Sequence, residues 1–155
     1  MELNIRLVKP EDINAFVETY INAYSTLPDY KYTSKKDIKN YFKWLYKRDP
    51  EGFFVAEVNG KPVGFCACDS HWVNKNHKLV LAIHEIFVLP DFSGKGIGKA
   101  LIQKALEYGR SKGLNIVELW VGEKNYKAIN FYKNLGFKEE GKWGKWIKMT
   151  KCLSY

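Results

Sequence analysis

The sequence predicts an α/β domain of mixed type, in which one twisted sheet of about six to seven strands is flanked by about four helices. Residues 79–89 are almost all apolar, which is typical of a strand buried on both faces. This strand leads through a glycine-spaced turn into a helical pattern and then into another strand, an order that implies a right-handed parallel crossover. The dipeptide Asn59-Gly60 between two apolar runs predicts a two-residue hairpin turn. Parallel and antiparallel strands are therefore expected in the same sheet.

The first part of the chain predicts one strand and two helices. Residues 3–9 alternate between apolar and polar side chains, as in a half-buried strand. Pro10 then opens a helix, because proline suits the first helical position. A second helix is expected after Thr33 or Ser34, either of which can cap it, and should run through Arg48.

The rest of the chain follows the same two periodicities, since apolar side chains recur every second residue in a strand and every third or fourth in a helix. The predicted elements are two hairpin strands within residues 53–68, a polar loop over 70–78, the central strand over 79–89, a helix over 96–112, a strand over 115–121, a short helix over 125–135 and a final antiparallel pair within 137–152.

The composition indicates an ordinary globular protein. With 155 residues, the chain has the size of one domain, so residues 1–155 are expected to fold as a single unit. The apolar fraction is 46%, and no apolar stretch has the length of a membrane-spanning helix. The first residues also lack a secretory signal pattern. We therefore expect a cytoplasmic protein with no membrane partner.

The net charge and the cysteine and histidine positions indicate which ligands to expect. The net charge is +8, which suits an anionic partner such as a polyphosphate cofactor or a nucleic acid, and charge alone does not choose between them. Cys66 and Cys68 should point to the same face of one strand as small buried side chains. The three histidines and three cysteines do not stand at metal-ligand spacing, so no metal is expected.

The loop after the central strand is a candidate phosphate cradle. Gly94, Gly96 and Gly98 keep side chains away from the start of a helix, where unpaired N–H groups and the helix dipole attract anions. The loop is not a dinucleotide fingerprint, because Lys99 stands where the third glycine would be. It is not a P-loop either, since Ser93 stands at the first glycine position.

Two ionisable residues, His84 and Glu85, interrupt the apolar central strand. Such groups are costly to bury unless they are paired, hydrogen-bonded or facing a cleft. Strand alternation predicts that the two side chains point to opposite faces, so at most one of them serves a given cleft. At this point, two satisfied structural groups explain the pattern as well as a functional site does.

The predicted helix over residues 125–135 has one face with a small residue and a tyrosine. Asn125, Ala128 and Tyr132 share this face by their i, i+3, i+7 spacing. A ligand can approach Ala128 closely, and Tyr132 would be the functional group. Taken alone, an aromatic residue on an amphipathic helix belongs more often to the core.

Together, these motifs resemble the GNAT superfamily of N-acetyltransferases over essentially the whole chain. Two motifs in this order, about thirty residues apart, are much more specific than either alone. They are Val88-x-Pro90 with the Gly96-x-Gly98 loop, and Asn125-x-x-Ala128-x-x-Phe131-Tyr132-x-x-x-Gly136-Phe137.

The resemblance implies direct transfer of the acetyl group of acetyl-CoA to a primary amine of a small molecule, peptide or protein. It implies a cleft where the central strand splays from the next strand, with Tyr132 as the general acid for the leaving thiolate. The cofactor-binding residues that it implies are Ile86, Phe87, Val88, Ser93, Gly94, Lys95, Gly96, Ile97, Gly98, Lys99, Asn125, Ala128 and Tyr132.

The acceptor side of the reaction needs a base, because an ammonium group must lose a proton before it attacks. We predict His84, whose ordinary pKa of about 6.5 suits this step, with Glu85 as the alternative. The Val88 N–H is the candidate donor to the oxygen that becomes negative. The acceptor is expected to contact the aromatic side chains of Tyr30, Trp72 and Trp146.

Ser93 departs from the family pattern, in which this loop usually opens with Arg or Gln. This departure predicts weaker cofactor binding, unless lysines such as Lys95 or Lys99 meet the phosphates. Two alternatives to an enzyme therefore stay open. One is a CoA-binding regulatory module without catalysis, and the other, which we favour least, is a basic nucleic-acid-binding domain. A homodimer also stays open.

Overall fold

The computed structural model of the protein describes residues 1–27 and 31–153, which form one seven-stranded mixed sheet in the order β1-β2-β3-β4-β5-β7-β6. The strands are β1 (Leu3–Leu7), β2 (Phe53–Val58), β3 (Lys61–Val73), β4 (Leu79–Val88), β5 (Ile116–Gly122), β6 (Lys138–Trp143) and β7 (Trp146–Cys152). The α-helices are α1 (Ile13–Ala23), α2 (Lys35–Arg48), α3 (Ile97–Ser111) and α4 (Tyr126–Asn134). Strands β4 and β5 are parallel, and the other neighbouring pairs are antiparallel. The predicted fold class is confirmed.

Short sequence motifs determine where helix α2 begins and where the chain turns between β2 and β3. Ser34 caps α2, because its Oγ accepts a hydrogen bond from the N–H of Asp37 at 3.1 Å. Asn59 and Gly60 take φ angles of 51° and 81°, as a two-residue hairpin turn between β2 and β3 requires. Both features agree with the predictions from the sequence.

Strand β3 runs further than the sequence predicts. Residues 70–73, expected in a polar loop, continue the strand, and Trp72 and Val73 pair with β4. The N–H and the hydroxyl of Ser70 both donate to the buried carboxylate of Asp49, each at 2.7 Å. The polar side chain that suggested a loop is therefore satisfied inside the fold, and the connection shortens to residues 74–78.

Two cores lie on opposite faces of the sheet. Helices α1 and α2 cover one face, and that core includes Phe16, Phe42, Phe53, Phe65 and Phe87. Helices α3 and α4 cover the other face, and that core includes Leu101, Val117, Ile129, Tyr132 and Met149. Cys66 and Cys68 are both buried in the second core, as predicted for one face of a strand.

Strand β4 is irregular on both of its edges. Against β3, Ala67 lies opposite Glu85 and Cys68 lies opposite Ile83, so His84 is an extra residue in a β-bulge. Against β5, the pairing covers only residues 81–83 and 117–119. Beyond these residues the two parallel strands separate, and the gap between them forms the main cleft of the molecule.

Candidate active site

The cleft between β4 and β5 has a volume of about 880 Å³. His84, Glu85 and Tyr132 line it together with the glycine loop at the start of α3. Every predicted cofactor-binding residue except Lys95 also lines it. The Lys95 ammonium lies 5.5 Å from the ring centroid of Phe92, a cation–π contact with a residue that does line the cleft.

The three predicted acceptor contacts have different positions. Trp146 lines the cleft. Trp72 does not, because its ring packs edge-on against the ring of His84, with 4.9 Å between the centroids. Tyr30 lies outside the described residues.

The glycine loop has the geometry of an anion cradle. Gly94 and Gly96 have φ angles of 73° and 82°, and a Cβ on either residue would meet no atom within 4 Å. Gly96 is the N-cap of α3 and supplies no side-chain acceptor, so the first N–H groups of this helix stay open to a ligand. Backbone donors, the helix dipole and open space together fit a pyrophosphate.

Two other loop residues have local roles. A Cβ on Gly98 would lie 3.3 Å from the Cζ of Phe131, so this glycine lets α3 and α4 pack closely. The Oγ of Ser93 donates to the carbonyl of Pro90 at 2.9 Å, which directs the hydroxyl into the turn. The loop therefore offers backbone groups rather than a long polar side chain at its start.

Helix α4 carries Tyr132 on the opposite wall from β4. The Oδ1 of Asn125 accepts from the N–H of Ala128 at 3.3 Å, which caps the helix at the cleft. Burial, with the carboxyl of Glu85 nearby, raises the pKa of Tyr132, so its hydroxyl keeps its proton at neutral pH. Within residues 1–27 and 31–153, this hydroxyl has no hydrogen-bond partner and remains available to a ligand.

Glu85 is held by two tyrosines from the helices above β4. Tyr24, which directly follows α1, donates to one carboxylate oxygen, and Tyr41 of α2 donates to the other at 3.1 Å. Burial raises the pKa of Glu85 to about 7, although the hydrogen bonds from both tyrosines favour the charged form. A carboxyl group with this pKa can accept and release a proton near neutrality.

His84 belongs to a separate hydrogen-bonded group. Its Nε2 lies 2.9 Å from the Oδ2 of Asp69, and the Nε of Arg48 donates to the same oxygen at 2.6 Å. Burial alone would raise the pKa of Asp69, but the hydrogen bonds from His84 and Arg48 outweigh it and hold that pKa at about 2. The ionised carboxylate favours the tautomer with its proton on Nε2, which leaves Nδ1 as the acceptor.

The prediction that His84 and Glu85 point to opposite faces is wrong. The His84 ring lies 4.9 Å from the ring of Trp44, and the Glu85 carboxylate contacts Tyr41, both of α2. The bulge at His84 interrupts the alternation, so both side chains point toward the helices. Two consecutive polar residues in an apolar strand were the available signal for this irregularity.

Sequence reasoning also missed the partners that tune these two residues. The sequence motifs assign no functional role to Asp69, Arg48 or Tyr41. These residues come from α2 and β3, and no spacing in the sequence relates them to β4. Only the packing of α2 across the sheet brings them to the site.

Two parallel strands separate beside a backbone anion cradle, and a buried carboxyl and a tyrosine hydroxyl lie in the gap. This arrangement suits an enzyme that transfers a group from a diphosphate-bearing substrate. A model of the acetyltransferase (GNAT) family matches residues 14–137. The chain belongs to this family.

Relatives and solved structures agree with this assignment. An uncharacterised N-acetyltransferase of Methanocaldococcus jannaschii is 55% identical over 150 residues, which cover 96% of this chain and 66% of that protein. One of Archaeoglobus fulgidus is 50% identical over 131 residues, which cover 84% and 89%. A crystal structure from Pyrococcus horikoshii has a TM-score of 0.89 at 40% identity and covers 97% of this chain and 98% of that one.

A more distant structure shares the fold. The PaiA N-acetyltransferase of Thermoplasma acidophilum, solved in complex with coenzyme A, has a TM-score of 0.79 at 22% identity and covers 98% of this chain and 99% of that one. The family membership makes the protein an acetyl-CoA-dependent N-acetyltransferase, as the sequence predicted. In the described part of the chain, no helix has the length and apolar character to cross a membrane.

Proposed function

We propose that the protein transfers the acetyl group of acetyl-CoA directly to a primary amine, with Glu85 as the general base and Tyr132 as the general acid. The observation that carries this proposal is the position of both side chains in one cleft, beside the glycine loop. The thioester of acetyl-CoA is already activated, so the chain has to orient the amine, remove its proton and protonate the leaving thiolate.

The backbone of β4 supplies the hydrogen-bond donor that the reaction also needs. The N–H of Leu89 donates to the carbonyl of Val63 in β3 at 2.8 Å. Successive N–H groups of a strand alternate in direction, so the N–H of Val88 points to the unpaired edge beside β5. It is positioned to donate to the carbonyl oxygen that becomes negative during transfer.

Glu85 is a better base than His84, which the sequence favoured. Both side chains line the cleft, but the Glu85 carboxyl has a pKa of about 7 and accepts hydrogen bonds from two tyrosine hydroxyls, whereas the Nε2 of His84 is engaged by the ionised Asp69. His84 has its Nδ1 as an acceptor and remains the second candidate, and the pH profiles described in the Discussion distinguish the two.

The pKa of Glu85 also favours one class of amine. An α-amino group has a pKa of about 7.7 to 8.0, so its proton moves to this carboxyl with an unfavourable difference of only about one pKa unit. The ammonium of a lysine, with a pKa of about 10.4, would face a difference of more than three units. The acceptor panel therefore needs both classes of amine, because the relative rates test whether the pKa of Glu85 limits the reaction.

The experiment that tests the transfer has two stages. Calorimetry measures acetyl-CoA binding, and a thiol assay then measures free CoA with a panel of α-amines and lysine analogues. Saturable binding with amine-dependent thiol release supports the proposal. Binding without release would identify a regulatory module, and no binding would contradict the proposal. The cytoplasmic location and a homodimer stay predictions.

The glycine loop gives a first prediction. Gly96→Ala should weaken acetyl-CoA binding more than about tenfold, because the methyl group would occupy the cradle at a φ of 82°. The left-handed conformation should also cost about 1 kcal/mol of unfolding free energy. Calorimetry and urea unfolding measure the two effects.

Gly60→Ala is the matched control for this variant. Gly60 has a φ of 81° with equally open surroundings, but it lies in the β2–β3 turn. It should show the same loss of stability and no loss of affinity. Equal acetyl-CoA affinities for both variants would contradict the role of the loop.

A further inference from the structure

The hydroxyl of Tyr41 has two hydrogen-bond acceptors within reach. The Oε1 of Glu85 lies 3.1 Å away, and the main-chain carbonyl oxygen of His84 lies 3.2 Å away. A tyrosine hydroxyl carries one proton, and its oxygen can accept a hydrogen bond at the same time. The Tyr41 proton can therefore point to either of two neighbouring residues, one of which is the proposed base.

Tyr24 contacts the other oxygen of the same carboxylate and has no such alternative. Its hydroxyl donates to the Oε2 of Glu85. Among the residues that the structure describes, this oxygen is its only acceptor. His84, in contrast, is the extra residue of the bulge and has no partner in the register of β3 or of β5, so its carbonyl can meet a side chain.

The ionised state of Glu85 favours one of the two positions of the Tyr41 proton. Both carboxylate oxygens are then acceptors, and a hydrogen bond to a charged group is stronger than one between neutral groups. Tyr41 therefore donates to Oε1 rather than to the carbonyl of His84, while Tyr24 donates to Oε2.

The protonated state of Glu85 favours the other position. The carboxyl group now has a hydrogen to donate. With this hydrogen on Oε1, it points to the oxygen of Tyr41, whose own proton turns to the carbonyl of His84, and Tyr24 still donates to Oε2. Every hydroxyl and carboxyl hydrogen has an acceptor in both states, which avoids the cost of an unpaired polar group in a site shielded from water.

We propose that Tyr41 is a positioning residue that turns its hydroxyl from Glu85 to the carbonyl of His84 when Glu85 takes the proton of the acceptor amine. In this step, an N–H bond of the ammonium breaks, its electron pair stays on nitrogen, and an O–H bond forms at Oε1. The inference rests on the proposed function and adds how the base stays hydrogen-bonded in both of its states. Only a hydrogen atom of Tyr41 moves, so the ring contacts of α2 are kept.

The tyrosines and the cysteine around Glu85 stay uncharged near neutral pH, because burial raises the pKa of each of them. They are Tyr20 and Tyr24 from the side of α1, Tyr41 of α2, Cys66 of β3 and Tyr132 of α4.

The charged groups nearby are common to the variants compared below. The imidazole of His84 is hydrogen-bonded to Asp69, which also binds Arg48. The lysines that line the cleft are Lys31, Lys99, Lys127 and Lys145. An effect that is specific to one tyrosine variant therefore does not come from these groups.

The carbonyl carbon of His84 reports the reorientation of the Tyr41 hydroxyl without requiring activity. Its ¹³C chemical shift, followed by NMR as the pH is raised, should move with a midpoint of about 7 as Glu85 loses its proton. Glu85→Gln should abolish this movement, and any residue of it in that variant belongs to the imidazole of His84 and is subtracted. The Cζ of Tyr41 in the unaltered protein should move with the same midpoint, and a fixed Cζ would overturn the proposal.

Tyr41→Phe and Tyr24→Phe are matched variants, since each removes one hydroxyl from Glu85 and keeps the ring. Tyr41→Phe should remove most of the movement of the His84 carbonyl. Tyr24→Phe should keep it, with the midpoint raised by about one pH unit because a donor to the charged carboxylate is lost. Tyr46→Phe, also on α2, should behave as the unaltered protein. Equal movement in Tyr41→Phe and Tyr24→Phe would overturn the proposal, since the charge of Glu85 alone would then move the carbonyl.

The pH profile of kcat/KM separates this inference from the proposed function. A lysine analogue is used as the acceptor, because its ammonium, with a pKa of about 10.4, titrates far from Glu85. A His84 carbonyl that moves as expected without a limb near pH 7 in kcat/KM would contradict Glu85 as the base and leave the reorientation standing. A limb at this pH that Glu85→Gln removes, with no movement that depends on Tyr41, would overturn the reorientation and leave the base standing.

Discussion

Glu85→Gln is expected to lower kcat by about 10²- to 10⁴-fold, the usual contribution of a positioned general base. Glutamine keeps the size of the side chain and can still accept a hydrogen bond from Tyr41, but it cannot take a proton from the acceptor. Acetyl-CoA binding should be unchanged, because we assign the phosphates to the glycine loop and not to Glu85. Steady-state thiol release together with calorimetry measures both quantities.

The pH dependence identifies the base. As the proposed base, Glu85 acts in its deprotonated form, and its pKa of about 7 is that of the unliganded protein, so kcat/KM of the unaltered protein should rise with pH through about 7 and then level off. This limb should disappear in Glu85→Gln and persist in His84→Ala. Loss of the limb in His84→Ala alone would assign the base to His84 instead.

The same pKa has a consequence for stability. The folded-state pKa of Glu85 is raised above its ordinary value of 4.5, so the unfolded chain loses this proton at lower pH than the folded protein. Stability from this group is therefore complete below about pH 4.5 and is lost as pH rises through about 7. Relative to the unaltered protein, Glu85→Gln should gain roughly 1 to 3 kcal/mol of unfolding free energy between pH 4 and pH 8. Urea unfolding at both pH values measures this difference.

Short-range chemistry explains what could be predicted from the sequence. The turn at Asn59-Gly60, the open start of α3 at Gly96 and the cap of α4 at Asn125 each depend on a few neighbouring residues. The central strand can be predicted because a long run of apolar residues fits a strand that is buried on both faces. These local features are enough to position the cofactor side of the cleft.

The acceptor side could not be predicted in the same way, because it depends on contacts between distant segments. The β-bulge at His84 changes the side of the sheet to which one of the two candidate bases points. This bulge depends on how β4 pairs with β3, which the sequence of β4 alone does not indicate. The environment of Glu85 depends on Tyr24 and Tyr41, which lie 61 and 44 residues away in the chain. A pKa set by burial among such residues is a property of the fold and not of a motif.

Tyr132→Phe is expected to lower kcat by about 10²- to 10⁴-fold while leaving acetyl-CoA affinity and stability nearly unchanged. The ring packs against Phe131 and Phe137, with centroids 5.3 and 5.7 Å away, and phenylalanine preserves these contacts. Only the proton for the leaving thiolate is removed. Thiol release measured with saturating acetyl-CoA and acceptor gives the effect on kcat.

Changing the acidity of the leaving thiol tests whether the Tyr132 hydroxyl acts as a general acid. An acetyl thioester of a more acidic thiol needs less protonation as it leaves, so it should restore a large part of the rate of Tyr132→Phe and change the unaltered protein much less. Tyr126→Phe, at an exposed tyrosine of the same helix, is the control and should keep the full rate. If the acidic thiol slowed or accelerated both proteins equally, the Tyr132 hydroxyl would not be the acid, and the proton would have to reach the thiolate from water.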